Sequence, residues 1–129
     1  MRSRITLILT GVDTEAVELL CGIITALWGL WILLPIMTFA GAPAYRNLAA
    51  IIDESLLGAM MTMSGLMQLQ AVLRPLNAVR RPVAMLGCLL WLWITLELGI
   101  ATPSTSAWIT FGIWALANAF IAWRLRGLR

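Results

Sequence analysis

Residues 16–34 read AVELLCGIITALWGLWILL, 19 residues with a single charge, Glu18, near the start. At about 1.5 Å per residue such a helix reaches roughly 28 Å, close to the roughly 30 Å hydrocarbon core of a bilayer. Three later stretches share its length and character. The sequence therefore predicts an all-α integral membrane protein, four transmembrane helices in one antiparallel bundle. The expected spans are about residues 14–39, 54–73, 83–101 and 104–123, in a single domain covering 1–129.

Composition supports this reading. The chain is 61% hydrophobic and 12% charged, whereas a soluble domain carries about 25% charged residues. The net charge is +3 and comes from arginine alone. The arginines are scattered between apolar stretches and form no patch with interleaved aromatics, so nucleic acid is not an expected partner; the bilayer is. Histidine is absent, which disfavours haem ligation, the usual zinc sets and imidazole acid–base catalysis. Cys21 and Cys88 each lie inside a span and read as free thiols packed like small apolar residues; a disulfide or metal pair is the alternative. No cofactor and no metal are expected. No nucleophile with its base, phosphate loop or ligand set is recognisable, so the expectation is not an enzyme.

The ends of the spans carry ordinary punctuation. Residues 1–4 are basic, but the apolar run at 5–9 is too short for a signal-peptide core, so the first span is expected to stay in the protein. The segment 1–12 could instead lie on the membrane surface with Arg2 and Arg4 toward headgroups. Asp13 or Thr14 can cap the first helix, and Asp13, Glu15 and Glu18 together read as helix-start chemistry. That helix is expected to run to Leu34 or on to Phe39, with Pro35 ending or kinking it. Gly41 and Pro43 mark a turn. Tyr45 and Arg46 suit the headgroup layer, and the apolar residues after them suit a short interfacial helix. Asp53 or Ser55 is the expected cap of the second span, which stops before Arg74 and Pro75. The fourth span is expected to start with Thr102 as cap and Pro103 in the first turn.

Orientation follows from the arginines. Arg2 and Arg4, then Arg74, Arg80 and Arg81, then Arg124, Arg126 and Arg129 all fall on one side of a four-span path, with only Arg46 on the other. By the positive-inside rule both termini are expected in the cytoplasm, in a bacterial inner membrane. Trp108 and Trp123 then bracket the fourth span about 22 Å apart, as an aromatic belt would.

Lipid tails are as apolar as leucine, so the spans must associate through small residues and interhelical hydrogen bonds. Gly22 and Gly29, Gly58 and Gly65, and Gly112, Ala115 and Ala119 fall on single helix faces and are the expected packing positions. The same faces could serve a homo-oligomer or a larger assembly. Glu97 is the main candidate for chemistry, because an acid inside a span is costly. It lies near the outer end of the third span, within reach of an ion pair with Arg46. Asn118 in the fourth span and Thr25, Thr62 and Thr95 read as bridges between helices. Met60, Met61, Met63 and Met67 suit adaptable packing.

The segments WGLWILLP (28–35) and TFAGAPAYRNL (38–48), followed by a glycine-containing second span, resemble small, mostly uncharacterised membrane proteins of tailed phages and prophages, some of them holin-like. The resemblance implies a short helical membrane bundle and transfers no catalytic or binding residue. Small multidrug transporters, which place their essential Glu in the first span, and fluoride channels, which need a weak arginine bias, both depart from this pattern. Function is thus expected to be a structural or accessory membrane subunit acting through helix–helix association. A holin-like permeabilising protein and a small transporter or channel built on Glu97 are the alternatives.

Overall fold

The computed structural model describes residues 13–35, 38–74 and 76–127. The expected surface segment at 1–12, with Arg2 and Arg4, lies outside the described residues. The described chain is helical in six segments: α1 (Thr14–Leu33), α2 (Thr38–Gly41), α3 (Arg46–Ile51), α4 (Glu54–Leu73), α5 (Asn77–Ala101) and α6 (Ala107–Arg124). Short 3-10 turns cover Pro43–Tyr45 and Leu125–Gly127. Four of the helices, α1, α4, α5 and α6, are long and apolar enough to cross a membrane.

The helix starts follow from their caps. The Asp13 carboxylate accepts the Glu15 N–H and the Asp53 carboxylate accepts the Ser55 N–H, each at 3.1 Å. Each satisfies one of the orphan donors that every helix N-terminus presents.

Three boundaries differ from expectation. First, α1 stops at Leu33, short of Phe39. Leu34 is extended (φ −66°, ψ 145°), because the ring of Pro35 crowds an α-conformation in the residue before it. Phe39 belongs instead to the separate α2. Second, α5 begins at Asn77, not 83, and carries Pro82 within it. The proline sits in the second turn, where its missing N–H strands only the carbonyl of the exposed Ala78. Third, Thr102 does not cap α6. It ends α5, its hydroxyl bonded to the Leu98 carbonyl, and its own carbonyl accepts the Thr105 N–H at 3.2 Å. Pro103 therefore takes the second position of a tight turn, which its fixed φ favours, and α6 begins only at Ala107.

The four long helices form a ring in the order α1, α4, α5, α6, each packed on its two neighbours. The closest meeting is α1 with α4, which run in opposite directions. A Cβ built on Gly22 would lie 3.2 Å from the Gly65 carbonyl, and one on Gly58 would lie 3.0 Å from the Gly29 carbonyl. A Cβ on Gly29 would overlap the Thr62 backbone nitrogen, and one on Gly65 the Ala26 backbone nitrogen. Only glycine permits backbones this near, and in lipid such proximity supplies much of the attraction. On the α5–α6 side a Cβ on Gly112 would stay 3.4 Å from the nearest atom, Thr95 Cγ2, so that contact is looser.

Inside the ring, one half of the interior is apolar. Ile32, Leu57, Met61, Ile94 and Leu98 are each at most 2% exposed, and Leu48 of α3 and Phe39 of α2 close that end. Trp28, Trp91 and Phe111 form an aromatic cluster beside them, with ring centroids 5.3 to 5.6 Å apart. Met60, Met63 and Met67 face outward, and Met61 alone of that group is buried.

Replacing Gly29 or Gly65 with leucine should destabilise the fold by about 3 kcal/mol or more, because the new side chain meets backbone that cannot step aside. Gly41, which has nothing within 4 Å of its Cβ position, should accept alanine within about 0.5 kcal/mol. Denaturant titration of detergent-solubilised protein, followed by circular dichroism, measures both.

Candidate functional site

The other half of the interior combines a second apolar cluster, Cys21, Ala84, Ile121 and Leu125, with the buried polar groups. Glu18, the fifth residue of α1, is 1% exposed, and Arg80, the fourth residue of α5, is 6% exposed. The two groups meet side-on: Arg80 Nη2 donates to Glu18 Oε1 at 2.5 Å and Nε donates to Oε2 at 3.0 Å. This paired geometry matches the planar guanidinium to the planar carboxylate. The remaining nitrogen, Nη1, reaches Asn77 Oδ1 at 3.4 Å and the exposed Glu15 carboxylate at 3.6 Å.

Two further links follow toward the middle of the ring. Gln68 Nε2 donates to Asn118 Oδ1 at 3.0 Å, and Asn118 Nδ2 donates to the Trp114 carbonyl at 2.9 Å. Gln68 and Asn118 are at most 1% exposed. Asn118 fits because α5 offers Gly87 opposite it; a Cβ there would lie 2.8 Å from Asn118 Oδ1. Beyond them Trp91 Nε1 donates to Thr25 Oγ1 at 2.9 Å.

All three links run across the ring rather than around it. Glu18–Arg80 and Thr25–Trp91 join α1 to α5, and Gln68–Asn118 joins α4 to α6. These are the two diagonals, where side chains, not backbones, must span the gap. An unpaired polar group there would cost several kcal/mol, since no water is at hand to replace the lost partner. The paired donors and acceptors reduce that cost and fix which residues stand opposite one another, although Gln68 Oε1 and the nearby Ser64 Oγ stay buried without a partner.

This corrects the sequence reading of Glu18 and Arg80. Asp13 and Glu15 do serve the helix start, but Glu18 lies beyond the first turn and points inward. Arg80 counts as more than an orientation signal. With the third span expected from 83, Arg80 falls outside it; the extension of α5 back to Asn77 brings Arg80 to nearly the depth of Glu18. The most buried acid therefore belongs to the first span and not to the third.

The residues singled out from sequence scatter. Glu97 is half-buried near the far end of α5, and Arg46 is exposed at the start of α3. Among the described residues no ion pair joins them. Asn118 is a bridge between helices, as is Thr25, whereas the Thr62 and Thr95 hydroxyls bond carbonyls of their own helices. Gly22, Gly29, Gly58 and Gly65 all lie at the α1–α4 contact. Ala115 is buried, but Ala119 is exposed and, with Gly112, lines an open groove between α5 and α6 instead of a tight contact. Cys21 and Cys88 are free thiols. Gln68 and Gly87 had no distinguishing signal in sequence. The partner of Gln68 lies two spans away, and Gly87 matters only because Asn118 faces it.

Near Arg46, Tyr45 stacks on Phe39 with centroids 5.2 Å apart and planes 12° from parallel. Burial pushes its phenol above the ordinary 10.0, and the Glu54 carboxylate adds to the shift. The folded state thus prefers the neutral phenol. Its stabilising contribution is complete below pH 10 and is lost as pH rises through the higher folded value.

No family model, curated protein or solved structure matches the chain.

Glu18→Gln or Arg80→Gln alone should cost about 3–5 kcal/mol, because each leaves an uncompensated charge inside. The double variant Glu18→Gln with Arg80→Gln should lose much less than the sum of the single changes. Unfolding titrations of the four proteins give the coupling. Tyr45 is the only tyrosine, so phenolate absorbance reports it alone. Its midpoint should lie above 10.0 in the folded protein, return toward 10.0 on unfolding, and fall partway in Glu54→Gln.

Proposed function

We propose that this chain is a non-enzymatic polytopic protein of a bacterial inner membrane that works through helix–helix association, as a structural or accessory subunit of a larger membrane or virion assembly. The observation that carries this reading is the way the interior is closed. Its strongest polar groups, Glu18 with Arg80 and Gln68 with Asn118, are engaged with one another across the diagonals and are at most 6% exposed. A group meant to bind or relay a passing solute needs a free valence and a route to it; Glu18, Arg80 and Asn118 are committed to holding helices in place, and the unpartnered Gln68 Oε1 belongs to a side chain only 1% exposed. What the protein offers outward is apolar helix surface, including Leu27, Leu89, Ile100 and Leu116, each at least 60% exposed.

The orientation proposed is both termini cytoplasmic. Arg74, Arg80, Arg81, Arg124 and Arg126 lie at one end of the four helices, and among the described residues only Arg46 lies at the other. The bias supports placing the first end inside. Trp108 and Trp123 stand partly exposed near opposite ends of α6, where aromatic side chains favour the two interfaces.

Purification in mild detergent from the native host should recover a stoichiometric partner, and isolation of a lone chain of one defined size would overturn the subunit reading. Expression of this chain alone in bacteria separates the holin-like rival. A voltage-sensitive dye should report a steady membrane potential; a sharp, delayed collapse would make permeabilisation the better account.

A further inference from the structure

The outward seam of α5 and α6 holds an apolar groove that the interior network does not use. It runs from Met85 and Ala122, past Cys88 and Ala119, to Gly112 and Trp108. From Ala122 to Trp108 this is about 21 Å of helix, more than the half-thickness of a bilayer's hydrocarbon core, about 15 Å. Its larger section encloses about 510 Å³, within the range of ligand pockets, about 300–1,000 Å³.

One mouth of this groove is basic. Arg81, Met85 and Leu89 follow one another at intervals of four on α5, so Arg81 stands one turn before the groove lining on the same helix face. Ala119 and Ala122 form the other wall, and Arg126 lies just past the end of α6, in the 3-10 turn Leu125–Gly127. Both arginines are exposed, and neither forms an ion pair with a described residue. The Arg126 guanidinium lies 5.5 Å from the Trp123 ring centroid, a cation–π contact that holds it at the depth of an interfacial tryptophan. The opposite mouth, near Trp108 and the turn at Thr102–Ser106, has no arginine.

We propose that this groove is a binding site for an anionic phospholipid of the leaflet facing the arginine-rich end. One acyl chain lies between α5 and α6, and the headgroup phosphate sits between Arg81 and Arg126. The inference rests on the membrane reading above. Charge complementarity selects the occupant: an apolar groove with exposed arginines on α5 and just past α6 beyond one end, and none at the other, fits a molecule with an acyl chain and an anionic head. A second copy of this chain would bring its own Arg81 and Arg126 to the same mouth, and like charges would meet there.

The test is native mass spectrometry of the full chain released from detergent containing equal palmitoyl-oleoyl phosphatidylglycerol and phosphatidylcholine. Phosphatidylglycerol should be retained with a preference on the order of tenfold. Arg81→Gln with Arg126→Gln should abolish the preference, while Arg74→Gln, which changes an exposed arginine at the end of α4, should keep it. Ala119→Leu fills the groove and leaves both arginines in place; it should reduce retention of either lipid. Equal retention of the two lipids, or an unchanged preference in the double variant, would overturn the proposal. So would an efficient Cys88–Cys88 crosslink between copies without bound lipid, which would make the groove a protein interface. If the chain does not partition into the membrane fraction at all, it is the underlying membrane reading that fails. If it does partition and shows no lipid preference, only the site proposed here fails.

Discussion

A guanidinium and a carboxylate closed off between α1 and α5 set the terms for the rest of the interior. Neither Glu18 nor Arg80 could stay charged inside four apolar helices without the other, because the desolvation of each exceeds what scattered neighbours can return. Their side-on contact therefore dictates that the two helices start at the same level and that α5 extends back to Asn77, past Pro82, to carry Arg80 inward. Once that level is set, the chemistry above it follows in order. Gln68 meets Asn118 about two turns further along, Trp91 meets Thr25 beyond that, and the remaining interior toward α2 and α3 is mainly apolar, with Thr38 Oγ1 and Glu54 Oε1 buried at its edge.

The two kinds of contact divide the work. Around the ring, α1 and α4 approach until glycine hydrogens face backbone, at Gly29 with Thr62 and Gly65 with Ala26. Dispersion between close surfaces is the main attraction available when the solvent is itself hydrocarbon. Across the ring the gap is too wide for such contact, and long polar or aromatic side chains reach over it. The glycine contacts give adhesion without specifying much, since any small-residue stripe can slide along another. The diagonal hydrogen bonds and the ion pair penalise every register but one.

This arrangement also explains why the outside can remain plain. With the interior charge neutralised in the Glu18–Arg80 pair, the outward faces of α1, α4, α5 and α6 carry leucine, isoleucine and methionine, and the remaining arginines gather at the helix ends. The exposed surface can then vary between lipid contact and protein contact without disturbing the inner network. The α5–α6 seam, less tightly closed than α1–α4, is where the two meet a groove.

Sequence alone determined the elements. A run of about twenty apolar residues is a helix that matches the bilayer for reasons of length and hydrogen bonding within the segment, and neither depends on neighbours. The cap at Asp13, the stop near Pro35 and the small-residue stripes are local in the same way and were legible. The boundaries that went astray, at Asn77 and Thr102, are where a proline or a threonine can serve either of two adjoining elements, and only the packed chain selects one. The site was the least legible part. Glu18 reads as helix-start chemistry and Arg80 as an orientation signal when each is seen within its own helix. Only the tertiary structure decided that they face each other, because their pairing is a property of depth and azimuth in two helices 62 residues apart in sequence, and local periodicity carries no information about which diagonal a side chain will cross.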